Sequence, residues 1–395
     1  MTIRHTLSIP KSSADFSERL ARLSGSEGFS RSLLVGVLPL IAFEAFGDKE
    51  TIASIYFASS IITLLFTLNI ASLERWLKRR WLMTLGLGLL LGSILLFFTA
   101  SAPLFAVGIG LRAAGSTIFS VCLSLYIMQF IGKREWTRSE STRMLYQGIA
   151  WLIAPTLGIW LYDNISPTIV YLVAIGVTVG VIIYFWRLGL SDPSETKLTE
   201  SQPSKPWDAI GRFARQRNLR IAYVITLSRA CFWVALFVYG PIYVIEAGLP
   251  IWISGALLSF VSGLLLFSPL VRRLTEQFGT RQLIIALLIL IGLSSIGLGL
   301  VGEAKPIGLL FWILGSVGAA GVDVLANIPF MRVVRPRQRS EMTMVFTTWR
   351  EGSSLLTQAI VYLTLLIAPF WVFFFVLAAI QFIAAISTSY LPRRL

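Results

Sequence analysis

Residues 276–301 read EQFGTRQLIIALLILIGLSSIGLGLV, a short charged turn followed by a long run that carries no charge at all. About 20 apolar residues are needed for a helix to cross the hydrocarbon core of a bilayer, and 282–301 meets that length. Working outward, the chain repeats the pattern. Further apolar runs lie near 31–47, 51–72, 81–100, 103–131, 144–162 and 167–187, and then near 219–246, 250–270, 306–330, 343–367 and 370–391. The 395 residues are 55% hydrophobic and only 14% charged, with a mean hydropathy of +0.76. Soluble domains carry about 25% charged residues, so this chain needs lipid as part of its solvent. The expected fold class is an all-α polytopic membrane protein with twelve transmembrane helices.

The charges set the topology. Lys49 and Lys305 alone fall in loops on one side of the twelve runs, and Arg112, Arg229 and Arg350 lie within runs. The rest of the 34 Lys and Arg residues fall on the side of the termini. Positive residues mark the cytoplasmic side, so both termini are expected to be cytoplasmic. The net charge of +14 is then topological, and no nucleic-acid partner is needed to explain it. The first 30 residues are polar, with Asp15, Glu18, Arg19, Arg22 and Glu27, and contain no apolar signal-peptide core. Residues 13–23 could form a short helix on the membrane surface, but a solvated cytoplasmic tail over 1–30 is the expected state. The single histidine, His5, and the two cysteines, Cys122 and Cys231, give no disulfide, metal site or histidine proton relay to expect.

The polar stretch 191–218, with Pro193, Pro203 and Pro206, falls near the chain midpoint. It suggests a linker, and the domains are expected as 31–187 and 219–391, joined by 188–218 and followed by a tail at 392–395. An internal repeat supports this division. Glu74-Arg75-Trp76-Leu77-Lys78-Arg79 after the second run corresponds to Glu276-Gln277-Phe278-Gly279-Thr280-Arg281 after the eighth, an offset of 202. Arg138-Ser139-Glu140 and Arg339-Ser340-Glu341 are offset by 201, and Ala113-Ala114-Gly115 and Ala319-Ala320-Gly321 by 206.

These features resemble the major facilitator superfamily, whose transporters have two pseudo-symmetric six-helix bundles. That family carries a loop of pattern G-x-L-x-D-R-x-G-R-R between its second and third helices. Residues 73–79 are similar to it, with Glu74 for aspartate and Leu77 for glycine, and 274–281 form a second copy with Gln277 for arginine. The resemblance implies a gating role for Glu74, Arg75, Arg79, Glu276 and Arg281, which would tie the two halves together in the outward-facing state. Arg112 followed by Gly115, and Gly148, Pro155 and Gly158 along the fifth run, resemble motifs of the drug/proton antiporter branch, where small residues and proline permit close packing and a bend.

Ionisable residues within membrane helices are functional candidates by default. Glu44 and Arg112 lie toward the outer ends of the first and fourth runs, on helices that line the cavity in this family, and form the expected proton-coupling pair, with Asp323 as a third candidate. Arg229, Asp323, Arg350 and Glu351 sit at similar depth toward the inner side of the C-terminal half, where an ion network is expected. Phe232, Trp233 and Tyr239 could stack on a ligand, and Tyr126, Gln147, Trp151 and Asn327 are further cavity candidates. Three arginines against three acids make this cavity neutral, which favours an amphiphilic or zwitterionic substrate.

No phosphate-binding loop and no domain long enough for an ATPase is present. The expected function is a secondary active transporter that moves a small organic molecule by alternating access, coupled to protons. It is expected to be a monomer in a bacterial inner membrane, not an enzyme, with no cofactor or metal. A facilitated uniporter, or a sensor or assembly protein that retains the fold without transport, are the alternatives.

Overall fold

The computed structural model describes residues 13–99, 101–131, 136–190, 206–334 and 339–392. Twelve membrane-crossing units result. In the N-terminal half these are α1 (Ser13–Leu33) continued by α2 (Val37–Phe46), α3 (Lys49–Trp76), α4 (Arg79–Phe97), α5 (Ala102–Phe130), α6 (Trp136–Asn164) and α7 (Pro167–Arg187). A short helix, α8 (Pro206–Arg215), precedes the second half. Its crossings are α9 (Arg217–Glu246), α10 (Trp252–Gly263) continued by α11 (Ser268–Phe278), α12 (Thr280–Val301), α13 (Gly308–Leu325) continued by α14 (Asn327–Val333), α15 (Arg339–Thr347) continued by α16 (Trp349–Ile367), and α17 (Val372–Thr388). The end where α3 meets α4, at Lys78, Arg79 and Arg80, is called the basic end below, and the opposite end the far end.

Residues 13–30 are the main correction to the sequence-based expectation. They are not a solvated tail but the first four turns and more of a membrane-length unit, packed on α6 and α7. Phe16, Leu20 and Leu23 are buried on one face. The charges that depress hydropathy here are matched one turn apart, as Arg19–Asp15, Arg22–Glu18 and Arg31–Glu27. Such spacing supports a helix while leaving its apolar face intact.

Four crossings are interrupted, and three of the interruptions lie about four residues before a proline; the fourth, at Thr348 between α15 and α16, has none nearby. A proline has no N–H for the carbonyl four positions back, and its ring crowds that carbonyl. Pro39 acts on Val35, within the turn 34–36 that separates α1 from α2. Pro269 acts on Leu265, within the 3-10 segment Leu264–Phe267 that joins α10 to α11. Pro329 acts on Leu325, where α13 ends. Pro155 and Pro241 instead sit inside the continuous helices α6 and α9.

Apolar packing shows which end is closed. One buried cluster joins both halves, but the N-terminal half enters it only through far-end residues, between 33 and 55, 94 and 109, and 154 and 174. Toward the basic end the core divides. A cluster running from Phe16 to Leu190 contains only N-terminal residues, and one running from Ala209 to Phe346 only C-terminal residues. Bonds between the halves follow the same division. Ser259 Oγ accepts from the Thr156 N–H at 3.1 Å and lies 2.7 Å from the Thr156 hydroxyl, and the Ser60 and Ser354 hydroxyls are 2.6 Å apart. Nearest the far end, the Lys49 ammonium donates to Glu246 at 2.6 Å and lies over the Phe370 ring. The halves therefore meet at the far end and diverge toward the basic end.

Close helix approach depends on particular glycines. A Cβ on Gly158 would lie 2.0 Å from the Leu33 carbonyl oxygen, so α6 reaches the end of α1 only because this residue has no side chain. Gly115 and Gly86 bring α5 and α4 together in the same way. Gly148 is different: its nearest neighbour would be Leu266 at an ordinary 3.7 Å, and no steric need for glycine exists there. Gly158→Ala is expected to lower stability by about 1–3 kcal/mol or more, the scale of overpacking, and Gly148→Ala to be near neutral. Thermal unfolding of the purified variants in detergent checks the contrast.

Candidate functional site

The cleft between the halves is lined at mid-depth by charged and aromatic side chains. On α1, Glu27 is 1% exposed, and its carboxylate lies 3.2 Å from Arg31 one turn later. Neither carboxylate oxygen has a hydrogen-bond donor among the described residues. Arg112 on α5 donates to the Arg31 carbonyl and lies within electrostatic reach of Arg31, Tyr56 and Glu27. The Arg31 guanidinium also covers the Trp151 ring of α6 at 5.4 Å.

From Trp151 the contacts cross to the other half. Trp151 packs edge-on against Phe237 of α9, with centroids 5.5 Å apart, and Phe237 stacks on Trp233 one turn away. Trp233 Nε1 donates to Asp323 of α13 at 2.7 Å, and Asp323 is also the ion-pair partner of Arg229. Arg229 lies 4.8 Å from the Trp349 ring centroid, and Arg350 lies 5.4 Å from that same ring. Arg31, Trp151, Phe237, Trp233, Asp323, Arg229, Trp349 and Arg350 thus form one continuous path from α1 to α16. Trp151 and Phe237 each stand four residues before an intrahelical proline, Pro155 and Pro241. The helices are loosened where the path crosses between the halves.

Several residues lie elsewhere than the sequence suggested. Glu44 is exposed near the end of α2, with Tyr162 as its electrostatic neighbour, and it forms no pair with Arg112. The displacement follows from the true start of the first crossing, which moves Glu44 outward and brings Glu27 to mid-depth. Tyr126 is a core residue of the N-terminal half, packed between Phe130 and Phe185. Phe232 and Tyr239 are fully buried in the C-terminal half, Phe232 against Trp312 and Tyr239 donating to Gln358 at 2.6 Å. These three do not line the cleft. Glu351 is buried, within electrostatic reach of Tyr223 and Arg350 rather than in the Arg229–Asp323 pair. Gln147 accepts from Arg143 at 3.4 Å beside Gly28 of α1, and Asn327 is exposed at the start of α14.

Among the gating candidates, the side chains of Glu74 and Arg75 lie outside the described residues. Arg79 lies over the Tyr126 ring, Glu276 pairs with Arg272 on its own helix, and Arg281 donates to the Leu391 carbonyl. All of these contacts stay within one half. Among the described residues, no three His, Cys, Asp or Glu side chains come together as a metal site.

Two six-helix bundles around a charged, aromatic cleft define a membrane transporter architecture. The chain belongs to the Major Facilitator Superfamily, which its sequence matches over residues 23–357. No curated protein matches it. Similar solved structures include the nucleoside transporter NupG, 13% identical with a TM-score of 0.75, over 95% of this chain and 98% of that one. A POT family transporter in complex with 5-aminolevulinic acid is 13% identical with a TM-score of 0.78, over 94% and 95%. A bacterial homologue of the iron transporter ferroportin in an inward-facing state is 16% identical with a TM-score of 0.72, over 95% and 97%. At these identities what is shared is the fold.

Proposed function

We propose that this protein is a secondary active transporter that carries a small organic molecule by alternating access, with the basic end at the cytoplasm of a bacterial inner membrane and both termini on that side. The observation that carries this reading is the divided core. The halves share one buried cluster at the far end and separate toward the basic end, and a path of charged and aromatic groups spans the cleft between them. The conformation then corresponds to an inward-facing state. The described contacts of Arg79, Glu276 and Arg281 lie within their own halves, which fits loops that the resemblance implies engage only when this side closes.

Proton coupling is the energy source this reading assigns, with Glu27 as the principal carrier and Glu44 and Asp323 as further candidates. A buried carboxylate needs nearby cations to balance it, and Glu27 has Arg31 at 3.2 Å and Arg112 within electrostatic reach. Movement of Arg31 and Arg112 as the cleft closes would therefore couple the carboxylate of Glu27 to the change of state. Proton antiport is the mode that the Arg112–Gly115 and Pro155–Gly158 motifs resemble. The protein is proposed to act as a monomer without cofactor. Flux of thermally stabilising compounds into proteoliposomes, with and without a pH gradient, tests the proposal. Uphill movement that a proton ionophore abolishes is expected. Flux indifferent to the ionophore would point to a uniporter, and binding without flux to a sensor.

A further inference from the structure

The charges around the cleft do not all pair off. Glu27 matches Arg31 and Asp323 matches Arg229. Arg112 and Arg350 have no carboxylate within ion-pair distance among the described residues: Arg112 donates to a backbone carbonyl and Arg350 lies beside Trp349, with Glu27 and Glu351 in longer electrostatic reach only. Arg112 is half-buried and Arg350 exposed, although each belongs to a membrane-crossing segment. Arg112 donates to the Arg31 carbonyl, and Ser354, one turn from Arg350, meets Ser60 of the N-terminal half at 2.6 Å. Arg31 is within electrostatic reach of both arginines, so two guanidinium groups without an ion-pair partner approach one region from opposite halves. The neutral cavity expected from sequence relied on Glu44, which lies outside this region. Like charges held together inside a membrane protein repel strongly and cost desolvation. Such an arrangement is favourable when a counter-ion arrives to complete it, and arginine forks suit carboxylate and phosphate groups. The remaining walls are the half-buried faces of Trp151, Phe237, Trp233 and Trp349, which suit a flat apolar body.

We infer that the substrate is an organic anion with an aromatic or similarly flat apolar body, its acidic group bridging Arg112 of the N-terminal half and Arg350 of the C-terminal half. This rests on the transporter reading above and narrows its substrate class. An anion bound to both halves also gives them a reason to close on it, since the bridge is complete only when they approach.

The test uses the purified full-length protein and three probes of one shape: 4-phenylbutyrate, 4-phenylbutyramide and 4-phenylbutylammonium. Affinity is read from thermal-shift titrations. The carboxylate is expected to bind at least about tenfold more tightly than the amide, the scale of one charge-assisted hydrogen bond, and the ammonium more weakly than either. Arg112→Gln and Arg350→Gln should each erase that preference. Arg350→Lys should keep part of it, which separates loss of charge from loss of fold. Equal affinity for all three probes, no binding of the carboxylate, or tighter binding of the ammonium overturns the inference. Proteoliposome flux separates this outcome from the fate of the transporter reading. A carboxylate that binds but never crosses sinks transport and leaves the charge class standing. An ammonium that binds and crosses does the reverse.

Discussion

Arg229→Ala is expected to destabilise the folded protein by about 3–5 kcal/mol, the scale on which removal of one partner of a buried ion pair acts. Arg229 is 6% exposed and Asp323 23%, so water replaces little of what is lost. Among the described residues Asp323 would keep only the Trp233 N–H as a partner, a single hydrogen bond to an otherwise stranded charge. The converse change, Asp323→Ala, leaves Arg229 facing the Trp349 ring and Arg350, a cation near a cation. The double variant removes both charges and should be clearly more stable than the sum of the single losses implies. Thermal unfolding of the four proteins in detergent gives the coupling directly. Additive losses would show that the pair does not act as a unit.

Glu27→Gln is expected to abolish concentrative uptake while leaving the protein folded and able to exchange substrate across the membrane. Glutamine keeps the shape of the side chain but cannot carry a proton away. The path from Arg31 to Trp151 does not pass through the carboxylate, so binding should survive. Counterflow in proteoliposomes, which needs no net proton movement, checks the retained exchange, and uptake driven by an imposed pH gradient checks the loss. Glu44→Gln is the matched control. Glu44 is exposed beside Tyr162, and its loss should reduce driven uptake far less. If Glu27→Gln still accumulates substrate against a gradient, the assignment of the proton carrier is wrong.

The sequence made the membrane character, the helix count and the two halves legible because each leaves a local trace: uncharged runs of bilayer length, one-sided lysines and arginines, and an offset near 202. It obscured the first crossing, because hydropathy averages over charges that the helix pairs with one another. A periodic signal was present. Phe16, Leu20, Leu23 and Glu27 recur at helical spacing, with acid and base four residues apart beside them. Misplacing that crossing put Glu44 rather than Glu27 at the level of Arg112. The face of α9 was also readable in part. Arg229, Trp233 and Phe237 are spaced by four, with Trp233 and Phe237 half-buried and Arg229 buried beneath them, whereas Phe232, Leu236, Tyr239 and Tyr243 follow the alternating three-and-four spacing of a packed face. Depth along a helix placed Asp323 and Arg229 at one level, but pairing depends on rotation about the axis, which depth does not specify. Glu351 turns into the half that holds it for that reason, while Arg350, one residue earlier, turns to the cleft.

Alternating access itself is tested most directly by distances across the two ends of the cleft. Spin labels at Met144→Cys and Leu270→Cys report the basic end, and labels at Ile165→Cys and Trp252→Cys the far end. All four positions are exposed, whereas the native Cys122 and Cys231 are buried. In lipid, with a transported substrate added, the basic-end distance is predicted to shorten and the far-end distance to lengthen in the same molecules, as the Lys49–Glu246 contact opens. Substrate flux with both distance distributions unmoved would contradict the account.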